Sequence, residues 1–538
     1  MYTRVAWQTG IWRNVNARGI VVSTTLLAKG ASGPSAIFRI HGASHPERPA
    51  FIFEGRTHTY GDFNDRIDRL AAGLRKRGIR KGDSAVLMLK NRPECIEIGS
   101  ALSRLGASGV SVSWRSTPAE LTYLVNHSGS SAVFFEHELW PTIRATLPDF
   151  KLLAESNCFP VGGDVPGRPS LEELHDVGEP GPARKDEEGT VVIYTSGTTG
   201  KPKGAVRKFA SGQLEGFFAF IGETPMRADD RHLTICPLYH STGLGFAGMT
   251  MILGGTVVIL REFDPELTLR TIERERITTL AIVPTMLHRW MALPDAVFAK
   301  YDTSSLRAIF CGGAQLPGPL ALRTMERLGP VLYNFYGATE TGLVTVANPA
   351  ELRAAPGTIG HAVPGNDIRL LDESGHEVKR GDVGELFVKN SMIVEGYHAD
   401  ADATRASMRD GYFSVGDLAM QDDAGRYHIV GRQRDMVISG GVNIYPAEIE
   451  ETLHQHPAVS QAAVIGVPDD EWGERLRAFI VLKSGATASA SDLRGHCRAV
   501  LSGPKVPKEW VFLDALPSNP TGKILKRELR AWDGVPTG

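Results

Sequence analysis

The chain has little that would tie it to a bilayer, a nucleic acid or an oxidising compartment. Its five cysteines, Cys95, Cys158, Cys236, Cys311 and Cys497, are scattered over 538 residues and never fall into a CxxC spacing. That removes the usual zinc and dithiol motifs and fits a reducing, intracellular setting. No run approaches 18 consecutive apolar residues, and the longest apolar region, Leu244 to Leu260, is interrupted by Gly and Thr; it is too short to span a membrane. Lys plus Arg (59) against Asp plus Glu (61) leave a net charge of −2, without the excess that draws a protein to nucleic acid. A local absence stands at the start. No Asp or Glu precedes Glu47, whereas Arg4, Arg13, Arg18, Lys29 and Arg39 stand among Ser and Thr. This is the composition of a transit peptide, or of a mildly basic first helix that packs on the domain or touches a membrane surface. The expected location is cytoplasmic, with peripheral membrane contact and organellar targeting as the alternatives.

What is present describes a helix-and-sheet enzyme. The length exceeds what one core supports, so two to four packed units are expected, and 42% hydrophobic residues, 22% charged residues and 58 glycines are ordinary for a globular chain rich in turns. Phe63, Ile67, Leu70 and Leu74 recur at helical spacing behind Thr59-x-x-Asp62 and before Gly78, which predicts an amphipathic helix. The apolar run Ala85 to Leu89 follows, and the alternation repeats with a helix over Pro118 to Val125 and a strand over Ala132 to Phe135, the pattern of parallel α/β sheets. Further strands are expected at Val191 to Tyr194, Thr279 to Val283 and Leu306 to Phe310, each ending in a loop where an α/β sheet binds its ligands. The texture turns polar around Arg426 to Asp435. Beyond it the reading is a helix over Ile444 to His456 and strands over Ala462 to Val467 and Leu476 to Leu482, a small separate α/β unit.

The densest signal is YTSGTTGKPKG, Tyr194 to Gly204. Gly197, Gly200 and Gly204 permit turns closed to other residues. Thr195, Ser196, Thr198 and Thr199 offer hydroxyls, and Lys201 and Lys203 offer charge, an inventory suited to a polyphosphate. The glycines do not have Walker A spacing, and Pro202 stands where Ser or Thr would hold magnesium, which argues against a kinase or GTPase.

Taken in order with CGGAQL (Gly312, Gly313, Ala314), YGATE (Tyr336 to Glu340), Gly416-Asp417, GRQRD with Arg432, SGGVNIYP (Ser439 to Pro446) and PSNPTGKILKREL with Lys523, this loop resembles the adenylate-forming superfamily. That superfamily comprises acyl-CoA synthetases, aryl-CoA ligases, firefly luciferase and peptide-synthetase adenylation domains. The resemblance covers almost the whole chain. It implies an acetyl-CoA synthetase-like α/β fold, with a large N-terminal domain (1–431) of parallel-sheet subdomains plus a β-barrel-like subdomain. A hinge (432–435) and a small mobile C-terminal α+β domain (436–538) would follow.

It also implies roles. Thr195, Ser196, Gly197, Thr198, Thr199, Gly200 and Lys201 would cradle the phosphates of ATP, while Gly312, Gly313, Ala314, Tyr336 and Gly337 would border adenine. Thr339 would contact the α-phosphate, and Glu340 would hold Mg2+, which favours hard carboxylate and phosphate oxygens. Asp417, assisted by Arg432, would accept the ribose hydroxyls, and Arg434 would occupy the hinge position, where relatives usually place Asp or Lys. Ser439, Gly440 and Gly441 would line the coenzyme A channel after domain rotation, and Lys523 would reach the adenylation site and neutralise developing charge. His240, in PLYHSTG, matches a position beside the substrate carboxylate.

Between Cys236 and Leu260 there is no acidic residue to hold the ammonium of an amino acid, a group costly to bury unpaired. Small residues (Ser241, Thr242, Gly243, Gly245, Ala247, Gly248) leave space for an apolar chain. The expected partners are therefore ATP, coenzyme A and a small carboxylic acid, preferably a medium- or long-chain fatty acid. Alternatives are an aryl or sterol-derived acid, a carrier protein as acceptor, and a catalytically silent nucleotide- or lipid-binding protein.

Overall fold

In the computed structural model the description applies to residues 2–29, 35–177, 190–195, 203–208, 211–439, 442–469, 472–519 and 523–534. Two α/β sheets carry most of the N-terminal part. The first runs Cys158–Val161, Ser130–Glu136, Ser84–Met88, Ser108–Ser111, Thr190–Thr195, Lys203–Lys208 and is parallel apart from the last, antiparallel pair. The second has nine strands. Its parallel centre joins Leu332–Ala338, Ala308–Cys311, Thr279–Ile282, Arg231–Thr234, Thr256–Ile259 and Pro49–Phe53. The predicted helix is Tyr60–Lys76, with Thr59 accepting from the Asp62 N–H and Gly78 in the left-handed region at φ 95°. Its apolar stripe, Phe63, Ile67, Leu70 and Leu74, is fully buried.

A third, antiparallel sheet is the barrel-like unit expected, with strands including Gly384–Lys389, Asp417–Gln421 and Tyr427–Arg432. The fourth is built from residues 437–512 alone, around the long hairpin Val459–Asp469 with Gly473–Leu482. The helix expected from Ile444 starts later, at Pro446. Val442–Ile444 is instead an edge strand paired with Val437–Ser439, and proline takes the first helical position, where its missing N–H costs nothing.

The acid-free N-terminus folds against the domain. Val5 of the first helix, Tyr2–Thr9, is buried, and the Asn14 amide donates to the Ala228 and Leu253 carbonyls at 2.8 and 2.7 Å. Among the described residues no helix is long and apolar enough to cross a membrane.

Candidate active site

The carboxyl ends of the two parallel sheets face a cavity of about 1030 Å³. Asn91, just past the strand Ser84–Met88, fixes one wall: its amide donates to the carbonyls of Cys236 and Leu260, and its oxygen accepts from the Leu238 N–H at 2.8 Å. The wall then turns at His240 into the helix Ser241–Ile252. Burial holds the His240 imidazole down at about 4, so it is neutral near pH 7 and acts as a hydrogen-bonding group, not a cation. Ser241 Oγ lies 3.3 Å from Thr339 Oγ1, which joins this helix N-terminus to the turn bearing Thr339 and Glu340. A carboxylate held there would meet His240, two hydroxyls and the positive helix end.

The turn itself depends on Gly337. A Cβ there would stand 2.0 Å from the Gly342 carbonyl oxygen, so only glycine lets the strands Leu332–Ala338 and Gly342–Ala347 close through the irregular register after Tyr336. Glu340 is 7% exposed and accepts from the Tyr397 hydroxyl at 3.2 Å. Tyr397 comes from a segment that sequence reasoning passed over. It bridges Ala205, while the His398 N–H donates to the Gly204 carbonyl at 2.7 Å, and Lys203 Nζ sits 5.0 Å from the Tyr397 ring centre. Among the described residues no cluster of three or more His, Cys, Asp or Glu forms a metal cage. One buried carboxylate suits a magnesium ion that brings phosphate and water ligands with it.

Opposite this turn, antiparallel register sets Asp417 directly across from Arg432, and Arg432 Nε lies 2.9 Å from Asp417 Oδ1. The Tyr336 hydroxyl donates to the other carboxylate oxygen at 2.8 Å. Burial and the Asp417 charge together push the Tyr336 phenol well above its ordinary value. Burial pulls Arg432 down most strongly, but Asp417, Tyr336, Asp435 and Glu340 together outweigh it and the guanidinium stays charged.

Lys523 completes the ring. It lines the cavity with Thr339, Glu340, Asp417 and Arg432, held by a backbone closure in which the Asn519 N–H donates to its carbonyl at 2.9 Å and Asn519 Oδ1 accepts from its N–H at 2.8 Å. Burial, then the Arg432 charge, lowers its ammonium to about 8. The small C-terminal unit is seated on the N-terminal part, with contacts that include the Glu451 carboxylate accepting from the Gly318 N–H at 3.1 Å and Ser460 Oγ at 3.2 Å from His288 Nε2.

Not every expected residue reaches the cavity. Gly313 lines it, whereas Gly312 is pressed on the Phe335 carbonyl, 2.6 Å from where a Cβ would be, and Ala314 lies exposed beyond it. Tyr336 meets the site through Asp417. Ser439 is buried in the C-terminal sheet away from the cavity. Arg434 lies in the short turn Gln433–Asp435, where burial and then Arg432 lower its pKa. The Thr195 backbone pairs with Lys203 at the loop's base; Ser196, Gly197, Thr198, Thr199, Gly200 and Lys201, and also Gly440 and Gly441, lie outside the described residues.

Comparison with known proteins gives the family. The sequence profile of the AMP-binding enzyme family matches residues 38–398, and that of the AMP-binding enzyme C-terminal domain matches 448–523. A feruloyl-CoA synthase of Amycolatopsis is 37% identical over 90% of this chain and 96% of its own. An indoleacetate–CoA ligase of Aromatoleum aromaticum is 35% identical over 91% and 96%. Among solved structures, ATP-bound MatB from Rhodopseudomonas palustris superposes with a TM-score of 0.83 at 28% identity, covering 93% of this chain and 98% of that one. With two thirds of its length inside the family profile and these relatives along nearly all of it, the chain belongs to the AMP-binding enzyme family.

Proposed function

We propose that the protein is an ATP-dependent acid–CoA ligase that works through an acyl-adenylate, and that its acid is a medium- or long-chain fatty acid. The supporting observation is the cavity's extent. From Thr339 and Lys523 it continues past Gly245 and Gly248 to apolar walls that include Leu26, Ile37, Phe218 and Met249.

In the first step a carboxylate oxygen of the acid attacks the α-phosphorus of ATP, the bond to the β-phosphate bridge breaks, and pyrophosphate leaves. His240, Ser241 and Thr339 orient the attacking carboxylate, Asp417 holds the ribose, and the Lys523 ammonium faces the charge that builds on the α-phosphate. A magnesium ion bound with ATP neutralises phosphate charge, and Glu340 would hold it. In the second step the thiol sulfur of coenzyme A forms the thioester bond to the acyl carbon, its proton is lost, and AMP departs. Residues 432–435 serve as the hinge between a domain of residues 1–431 and one of 436–538. Turning there would withdraw Lys523 and bring the loop at Ser439 to the acyl-adenylate. A second reading, an aryl acid of the feruloyl or indoleacetyl kind, is favoured by the two relatives named above.

Pyrophosphate release measured over a panel of fatty and aryl acids, with thioester measured on adding coenzyme A, separates these readings. Efficiency that rises with chain length supports the fatty acid. A maximum at cinnamic- or indole-type acids supports the aryl acid, and no pyrophosphate from any acid sinks adenylation altogether. A graded check uses the cavity-facing stripe Ser241, Gly245, Gly248 and Ile252. A Cβ on either glycine meets nothing within 4 Å. At about 1.5 Å per residue, Gly245 and Gly248 stand roughly 6 and 10 Å along the helix from Ser241. Gly245→Phe should therefore block all but the shortest acids, and Gly248→Phe only the longer ones. An unchanged acid profile in both variants would show that the acyl chain does not pass this helix.

A further inference from the structure

Residues 2–29 are docked on one side and unusually apolar on the other. Tyr2 packs edge-on against Phe218 with ring centres 5.8 Å apart, which, with buried Val5 and Asn14, fixes the segment to the domain. Outward, Trp7 and Trp12 stack at 6.3 Å, and the Arg13 guanidinium lies 5.0 Å from the Trp12 ring centre. Of the sixteen exposed large apolar side chains among the described residues, six (Tyr2, Trp7, Trp12, Ile20, Val21 and Leu27) fall in the first 28 residues. So dense a cluster differs from the isolated surface apolar residues that need no explanation. Arg4, Arg13, Arg18 and Lys29 are exposed beside them, and none forms an ion pair among the described residues. The family profile starts only at residue 38, so this segment lies ahead of the part that the profile describes.

The same segment also forms part of the cavity. Ile11, Val15, Leu26 and Leu27 line it, so the exposed apolar face and the cavity wall belong to the same segment, built of Tyr2–Thr9, Ile11–Arg13 and Ala17–Ala28. They meet at Leu27, which is both exposed and cavity-lining.

We propose that this face docks on an anionic lipid bilayer, with the apolar end of the cavity turned toward the membrane. Tryptophan rings settle at the headgroup boundary, and basic side chains beside them are attracted to anionic lipid. Charge selects this occupant over a second copy of the chain. Two such faces would set Arg against Arg, since no acidic residue precedes Glu47.

The test is co-sedimentation of the full chain with vesicles of phosphatidylcholine alone or mixed with phosphatidylserine, at low and high salt. Binding is expected only to the mixed vesicles and should weaken with salt. Arg13→Glu/Arg18→Glu should lower the partition coefficient at least about tenfold. Trp7→Ser/Trp12→Ser should weaken binding while leaving its salt dependence, and Lys300→Glu/Arg353→Glu, elsewhere on the surface, should bind as the native chain does. Circular dichroism establishes that each variant is folded. The proposal fails if the native chain ignores the mixed vesicles or if the N-terminal variants bind normally. It also fails if sedimentation velocity without lipid shows a dimer that those variants dissociate. None of these readouts depends on which acid is activated.

Discussion

Lys523→Ala is expected to reduce pyrophosphate release by about two to three orders of magnitude, the usual cost of removing one preorganised charge from a transition state. Thioester formation from supplied acyl-adenylate should stay within a few-fold of native, because the proposed rotation removes Lys523 before the thiol arrives. Equal loss of both half-reactions would show that the lysine serves a single fixed site and that no alternation occurs. The ammonium also predicts a pH dependence. Burial and Arg432 bring it to about 8, and only the charged form neutralises phosphate, so kcat/KM for ATP, which reports the free enzyme, should fall as pH rises through about 8. In the ATP complex the phosphates favour the charged form, which moves the limb of kcat to higher pH. Lys523→Arg should erase the limb near 8. Stability moves the other way. Because folding disfavours this ammonium, the cost of burying it is present below the folded value and disappears once the unfolded group also loses its proton. Lys523→Ala should therefore leave the melting temperature at pH 7 unchanged or raised, which separates a catalytic defect from a folding defect.

Much of this site could be read from the chain because its parts are local. YGATE and the Lys523 tail each compress several groups that face the cavity into one short stretch, and a turn that needs Gly337 announces itself as glycine. Other parts depend on contacts that sequence order conceals. Asp417 and Arg432 are recognisable as motifs, but their ion pair follows from strand register. Tyr397 belongs to no phosphate motif and reaches Glu340 only because residues 396–398 run along the edge strand Lys203–Lys208. The N-terminal wall of the cavity was only partly legible. A basic, acid-free start fits a transit peptide or a basic helix packed on the domain, and the packing of Asn14 and Val5 shows the segment docked on the domain. The late start of the helix at Pro446 has a similar cause: the apolar period runs back into Ile444, where pairing with Val437–Ser439 overrides it.

Asp417→Ala is expected to damage both ATP binding and the fold. Asp417 is 6% exposed, and its two oxygens are shared by Arg432 and the Tyr336 hydroxyl. Truncation leaves the guanidinium without its counter-ion and the phenol without its acceptor, a loss of about 3–5 kcal/mol for a fully buried pair. The Arg432 side chain keeps 29% of its surface in water, so about 2–3 kcal/mol is the better expectation, read as a drop in unfolding free energy by urea titration. Asp417→Asn keeps the shape and one acceptor while removing the charge. It should be less stable than native, because Arg432 loses its counter-ion, but more stable than Asp417→Ala, because the amide oxygen still accepts and its NH2 can donate to the Tyr336 oxygen. It should also raise the KM for ATP at least about tenfold, since a neutral amide accepts the ribose hydroxyls more weakly than a carboxylate does. The contrast between the two variants decides the role of the residue. If Asp417→Asn is as unstable as Asp417→Ala but binds ATP normally once folded, the carboxylate exists to neutralise Arg432 and the ribose is held elsewhere. An Asp417→Asn that keeps part of the stability lost in Asp417→Ala and still binds ATP weakly when folded assigns Asp417 to the nucleotide.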